Sequence, residues 1–471
     1  MKRFGHNLVS YEMLPVIFTL AWPTMLEQLM QTAVQYVDTA MVGVLGTQAT
    51  AAVGATTTLT WLITGVLSAL GIGFLTFIAR NLGSKQYDEA RQIAAQSVCA
   101  VLFSGILFTV LVLSFTPLVP TLMQVAPEIR TLAATYFFIL YIPTLPRAAT
   151  IIFGTVLRAA GDTKTPMLVG LTVNLINLVL NLLLIYPTRK ITCFSHSITI
   201  PGAGFGVAGA AAASAIAITI GGIAITVAFW RHPLISPKGI RLLPDSAILL
   251  PCMRVAIPNM FQRFATSLGY VAFASMINAL GEVSAAAHTI ANTVESAFYI
   301  PGYGMQTAAS TLAGNAVGTQ DKQRMQDLTR TILVIEALLM VFSGGLLFLF
   351  APDMMSLFSD NPQVISLGSI VLRMVAVSEP FFGISIIMEG ILYGVGDTVR
   401  PFVYNVAGMW GVRIVGTFLC TEILGLGLIS AWACMILHNL FLFVLFILYC
   451  IRGKDSPLNP SWNTKNSTVK E

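Results

Sequence analysis

Apolar residues run along this chain in twelve long blocks separated by short polar joints. The blocks fall at roughly 14–42, 50–78, 92–117, 130–155, 166–187, 206–230, 247–279, 284–313, 327–351, 364–391, 400–422 and 427–451. A helix needs about 20 mostly apolar residues to cross the ~30 Å hydrocarbon core of a bilayer, and every block meets that length. The pattern predicts an all-α polytopic membrane protein with twelve transmembrane helices. Pro23, Pro143, Pro258 and Pro301 lie inside blocks. Such breaks persist in membrane helices where neighbours satisfy the freed backbone groups.

The second half of the chain repeats the first at a spacing of 235 residues. Pro23 in AWP pairs with Pro258 in AIP, and Leu45-Gly46 with Leu280-Gly281. Gly83 falls on Gly318, Pro117 and Pro127 on Pro352 and Pro362, and GDTKTP at Gly161–Pro166 on GDTVRP at Gly396–Pro401. After the fifth block the spacing contracts to 219, because Gly206-Val207 pairs with Gly425-Leu426. The surplus in the first half is RKITCFSHSITIPGAG, expected to form an external loop. Six blocks per half start both halves on the same side of the membrane. The expectation is two six-helix lobes related by a pseudo-two-fold axis along the membrane normal. Residues 1–235 would form the N-lobe, 236–455 the C-lobe and 456–471 a cytoplasmic tail. Lobes so related leave a cleft near the midplane where transporters bind substrate.

Composition agrees with lipid as the main solvent. Of 471 residues, 56% are hydrophobic and 10% charged, against about 25% charged in a soluble domain. Most of the 26 Lys and Arg, including Lys2, Arg3, Arg80, Lys85, Arg158, Lys164, Arg241, Arg324 and Arg452, fall on the side holding both termini. The opposite side has Arg130, Arg189 and Lys190. The positive-inside rule then places both termini in the cytoplasm, with the chain in a bacterial cytoplasmic (inner) membrane. The net charge of +5 follows from that bias and gives no reason to expect nucleic acid.

Polar side chains inside the blocks carry the candidate chemistry. The first block holds Glu27, Gln28, Gln31, Gln35 and Asp38, whose spacings of three and four put them on one helical face. The repeat partner shows Asn259, Gln262, Arg263, Thr266 and Tyr270, and the eighth block adds His288, Asn292, Glu295, Tyr299 and Gln306. A charged residue at the centre of a membrane helix costs roughly 2.5–3.5 kcal/mol on insertion scales, so such residues mark ion or substrate pathways unless an arginine or a cap neutralises them. Asp38 is the sharpest case, because its repeat partner is Phe273. Glu295 has Arg263 as a candidate neutralising partner, and Glu379 and Glu389 in the tenth block stand open between structure and function. Glu336 and Arg413 read as ordinary bundle residues. In the fifth block Asn177 and Asn181 are i, i+4 neighbours, suited either to a hard cation or a protonated acid, or to plain interhelical bonding.

Several motifs together resemble the multidrug and toxic compound extrusion (MATE) family. They are YVDTAMVG at Tyr36–Gly43, LRAAGDTKTP at Leu157–Pro166, NLINLVLNLLLIY at Asn174–Tyr186, GVAGAAAAS at Gly206–Ser214, and the duplicated GDT. The resemblance implies alternating access and export driven by inward H⁺ or Na⁺, with no cofactor. Asp38 matches the first-span acid of the family's N-lobe cation site, Asn177 an asparagine of that site, and Ser214 a hydroxyl residue on span six. Asn181 stands where many members carry a second aspartate, which leaves the coupling ion open; Asp38 and Asn177 would ligate the metal if it is Na⁺. One branch carries a span-seven glutamate where this chain has Thr266, and its span-ten aspartate falls on Phe382. The likeness is therefore to the N-lobe-site branch, with Glu295 as an extra C-lobe acid.

The expected function is a secondary active exporter of amphipathic organic compounds, cations included, working as a monomer and not as an enzyme. Its substrate cavity would use Glu27, Gln31, Gln35, Gln262, Arg263, Thr266, Glu295, Tyr299 and Glu389, with Met25, Met30, Met260 and Phe261 suited to such ligands. The rival within the superfamily is a flippase for lipid-linked or polysaccharide precursors, which would need more basic cavity residues. An integral-membrane transferase would need a loop cluster of His, Asp or metal ligands. The five histidines are instead dispersed and the loops short.

Overall fold

A computed structural model describes residues 9–122, 126–193, 196–453 and 456. Helix α1 spans Met13–Gly43, α2 Thr47–Gly83 and α3 Tyr87–Phe115; a short α4, Val119–Leu122, follows. A 3₁₀ turn at Pro127–Ile129 leads into α5 (Arg130–Tyr141) and α6 (Thr144–Ala159), then α7 (Lys164–Leu184). Strands β1 (Pro187–Cys193) and β2 (His196–Ala203) precede α8 (Gly206–Arg231). The second half runs α9 (Ser246–Asn278), α10 (Glu282–Thr319), α11 (Lys322–Ser356) and α12 (Pro362–Val395). Its next span is a composite of α13 (Val399–Val406), a π-helical stretch Ala407–Ile414, α14 (Val415–Phe418) and a second π stretch Leu419–Ile423, before α15 (Leu428–Arg452). Apart from Ser456, the expected tail at 456–471 lies outside the described residues.

Every apolar block became helix, giving the polytopic helical fold. Nine helices among the described residues are long and apolar enough to cross a membrane, and the α5–α6 pair, bent by 53°, makes a tenth. α9 and α10 are long enough, at 33 and 38 residues, but carry the polar stripes described above. Of these spans α7 is the most open to its surroundings, with only 17% of its most apolar stretch buried within the protein, as a lipid-facing span requires. The fourth span breaks at Pro143, which occupies the N-cap of α6 and has no N–H to continue the ladder. One expectation needs refinement: the connection after α7, expected as a loop, is an antiparallel hairpin, with Arg189 paired to Ile200 and Ile191 to Ile198. The β-branched residues Ile191-Thr192 in β1 and Ile198-Thr199 in β2 suit a strand pair.

The duplication appears directly in the backbone. Left-handed dihedrals occur at Gly46 and Gly281, at Lys85 and Gln320, and at Gly161 and Gly396, each pair at the repeat spacing. Gly206 and Gly425 continue it at the contracted spacing. The duplicated GDT is thus turn chemistry: the glycine closes one helix with positive φ, and the aspartate caps the next. Asp162 Oδ1 accepts from Thr165 N at 3.0 Å and Asp397 Oδ1 from Arg400 N at 3.2 Å.

Packing divides the chain into two compact units. One takes in the chain up to Gln28, Leu75–Tyr87 and everything from Leu250; the other takes in Leu29–Phe74 and Asp88–Leu249. Helix α1 therefore contributes to both. In the first unit the α1 hydroxyl of Thr24 donates to the carbonyl of Gly304 in α10 at 2.8 Å. A Cβ on Gly304 would come within 2.6 Å of the Met25 backbone, and one on Gly318 within 1.9 Å of the Arg80 carbonyl. Small residues permit such close helix approach. In the second unit Arg91 and Gln96 of α3 strap down the 232–245 connection, binding the carbonyls of Ser236, Lys238 and Leu243.

These turns set a stability prediction. Gly396→Ala forces a left-handed alanine, costing about 1–2 kcal/mol. Gly411→Ala, with open space around its Cβ, is neutral or stabilising by up to about 1 kcal/mol. Thermal unfolding of the purified protein in detergent measures both, and a Gly396→Ala protein as stable as the parent contradicts the turn assignment.

Candidate functional site

Four of the residues singled out from sequence converge in the second unit. Asp38 stands five residues before the end of α1, Asn177 and Asn181 lie on one face of the last turns of α7, and Ser214 is two turns into α8. Asn181 Nδ2 donates to Asp38 Oδ1 at 2.6 Å. The Asn177 amide is best assigned with its nitrogen toward Asp38, at 2.9 and 3.0 Å from the two carboxylate oxygens. Its oxygen then accepts from the Ser214 hydroxyl at 3.0 Å, whereas the reverse orientation sets oxygen against carboxylate. Both asparagines are buried and Asp38 is half-buried. Two amides, and no arginine, are the donors to Asp38 among the bonds described.

A cavity of about 150 Å³ opens beside the carboxylate, lined by Gln35, Thr56, Thr60, Tyr136, Asn181 and Ser214. It has room for a few waters or one partly hydrated ion. Asn181 Oδ1 is buried without a hydrogen-bond partner, an acceptor left for a donor or cation. One carboxylate, two amide oxygens and a hydroxyl form a hard oxygen set suited to a monovalent cation, provided the amides turn; with the nitrogens inward, the same set holds a bare carboxylate. Tyr136, missed from sequence, sits close enough to feel the Asp38 charge.

A second polar group lies in the first unit. Glu389 of α12 receives Gln262 Nε2 from α9, Gln306 Nε2 from α10 at 3.2 Å and Asn405 Nδ2 from α13 at 3.4 Å. The Tyr393 hydroxyl lies against Glu389 and within 3.0 Å of Gln262 Oε1. Tyr393 is one helical turn beyond Glu389, a spacing the sequence itself carries. Arg263 adds a nearby positive charge to Glu389 and donates from Nε to Asn259 Oδ1 at 3.0 Å. The Thr266 hydroxyl bonds back to the Gln262 carbonyl on its own helix.

Glu295 is buried beside Arg413, not Arg263 as the sequence suggests. The π-helical span brings that guanidinium inward, over Tyr270 and Phe273 at 5.4 Å from each ring. Tyr299 packs edge-on against Tyr303 and Phe382. Gln35 lines the Asp38 cavity, while Glu27 and Gln31 continue the α1 face toward Pro23, Glu27 half-buried and Gln31 exposed. The nine cavity residues thus fall into an Asp38 group, a Glu389 group, a Glu295 group and the middle of α1.

Known proteins carry the same fold. The chain is 29% identical over 448 residues to the probable multidrug resistance protein NorM of Thermotoga maritima, covering 93% of this chain and 92% of that protein. It is 22% identical to the NorM protein so described in Neisseria meningitidis serogroup B, covering 96% of each. Solved structures include an outward-facing multidrug resistance MATE family transporter of the MOP superfamily, at TM-score 0.81 and 22% identity, covering 92% of this chain and 94% of that one. A MOP superfamily transporter from Pyrococcus furiosus matches at TM-score 0.83 and 23% identity, with the same coverage. The MatE family profile matches twice, at residues 23–183 and 258–419, which is the internal repeat itself. With both copies of the profile present, this chain belongs to the MATE family of integral-membrane transporters, and it is not an enzyme.

Proposed function

We propose that the chain is a secondary antiporter that exports amphipathic organic compounds, cations among them, in exchange for H⁺ or Na⁺ taken up at Asp38. The observation that carries this reading is the Asp38 pocket: a carboxylate held by two amides, next to a small cavity with an orphaned buried acceptor. The relatives described as multidrug resistance proteins support the substrate class. The chain acts as a monomer in a bacterial inner membrane with both termini cytoplasmic, and its lobes follow the repeat, 1–235 and 236–455, with a cytoplasmic tail at 456–471. Glu27, Gln31, Gln35, Gln262, Arg263, Thr266, Glu295, Tyr299 and Glu389 contribute to substrate handling.

Coupling follows from linkage. An ion drives export only if it binds one conformation better than another, and the substrate must respond reciprocally. Binding at Asp38 exchanges a carboxylate that accepts from two amides for a protonated or ion-paired one. The Asn177 and Asn181 amides must then reorient, which shifts α1 relative to α7 and α8. α1 contains Pro23, so its movement pivots near that break.

Asp38→Asn, reconstituted in liposomes, is expected to lose gradient-driven dye efflux by at least tenfold while keeping its fold. Undiminished efflux removes Asp38 from coupling. Running the parent protein under separate pH and Na⁺ gradients identifies the ion. Asn181→Leu leaves Asp38 with one donor fewer, and losing a hydrogen bond to a charged group costs about 1.5–3 kcal/mol. Gln35→Leu on the same cavity wall changes stability by less than about 0.5 kcal/mol. Thermal unfolding in detergent at neutral pH separates the two variants; equal effects count against the hydrogen-bonded pocket.

A further inference from the structure

A third constellation lies deeper in the first unit and takes no part in the Asp38 pocket. Glu336 is at the middle of α11, Glu379 at the middle of α12 and Glu295 near the middle of α10. Glu336 is 0% and Glu379 1% exposed, and neither oxygen of either side chain has a hydrogen-bond partner. Glu336 fills a slot left by two glycines: a Cβ on Gly302 of α10 would lie 2.7 Å from its Oε1, and one on Gly383 of α12 3.0 Å. A Cβ on Gly344 of α11 would lie 3.4 Å from that of Glu379. Three helices thus give up side-chain volume where two acids cross between them.

The charges around these acids do not balance. Glu379 feels both Glu295 and Glu336, and Glu295 feels Arg413. Arg413 also acts on His288 of α10 and His438 of α15, and its Nε is unpartnered. Tyr299 lies within reach of Glu295, Glu379, Tyr270 and Tyr303, and Tyr303 within reach of Glu389 and Arg263. One guanidinium compensates one carboxylate. A second or third ionised carboxylate at the middle of a span, with no donor, costs several kcal/mol; a bound proton removes that cost. The amides and hydroxyl that surround Asp38 have no counterpart among the hydrogen bonds of Glu336 and Glu379, and a proton is the partner that needs no further ligand. Apolar residues of similar volume would pack as well or better, so stability alone gives no reason for two acids here.

We propose that Glu336 and Glu379, flanked by Glu295 and Arg413, form a second proton-carrying site, separate from Asp38, that loads and unloads during transport. Its place in a transport cycle rests on the antiport reading; its proton binding does not. Loading forms a carboxyl O–H bond with a proton from hydronium. Unloading returns that proton to water and leaves a carboxylate.

Infrared difference spectroscopy on the full-length protein in lipid, titrated in H₂O and D₂O, tests the site. The expected result is a protonated-carboxyl C=O band that shifts in D₂O and disappears reversibly as pH rises. Glu336→Gln and Glu379→Gln each remove intensity from it, Glu336→Asp restores a shifted band, and Asp38→Asn leaves the band in place. In liposomes, the proton-to-substrate ratio, read from the gradient at which dye flux reverses, falls by one in Glu336→Gln. A parent protein without a titrating band overturns the proposal, as does a band lost with the ratio unchanged. If the parent moves no dye under any gradient, the antiport reading fails while the titration still decides whether the site binds protons; a band that never exchanges overturns it.

Discussion

Inside hydrocarbon a polar group has no water to turn to, and this constraint orders the molecule from backbone to site. Threonine and serine hydroxyls repeatedly bond back to carbonyls one turn earlier on their own helices, as at Thr19, Ser104, Thr109 and Thr219. Helix junctions are closed by aspartate caps and left-handed glycines. The same requirement surrounds Asp38 with amides and Glu389 with amides and a phenol. Glu336 and Glu379 have no such donors on either carboxylate, which sets them apart from Asp38 and Glu389.

The duplication separates what the backbone needs from what the chemistry needs. Turn positions with positive φ recur from one half to the other, at Gly46 and Gly281 and at Gly161 and Gly396, because chain reversal between spans is the same problem twice. Side chains facing the interior diverge. The register that carries Asp38 in the first half carries Phe273 in the second, buried against His288 and beneath Arg413. One half exposes an acid to a small polar-lined cavity; the other stacks an arginine on aromatic rings and keeps its acids on α10, α11 and α12.

Much of this was legible in the sequence, for physical reasons that also mark where reading stops. Spans were legible because twenty-residue apolar blocks admit one structure in lipid. The grouping of Asn177 with Asn181 followed from helical spacing, and bringing Asp38 and Ser214 to them required the family resemblance. The partner of Glu295 was not legible: Arg263 and Arg413 are both on other helices, and only packing shows Arg413 beside the acid. Glu336 reads from sequence as an ordinary bundle residue, since its significance lies in the absence of donors around it and in glycines 302 and 383 on two other helices. The hairpin after α7 was read as a loop because short β-branched runs are ambiguous without their partner strand.

The π-helical stretch Ala407–Ile414 has a consequence of its own. A π turn accommodates a residue more than the α-helix around it, and such turns cluster where function is found. Returning it to α-helical winding would rotate what it carries by about 100° per residue while the flanking helices keep their places. Arg413 is carried on that stretch. The guanidinium near Glu295 is thus mounted on a swivel, and its facing is a property of local winding, independent of any large motion of the helices on either side.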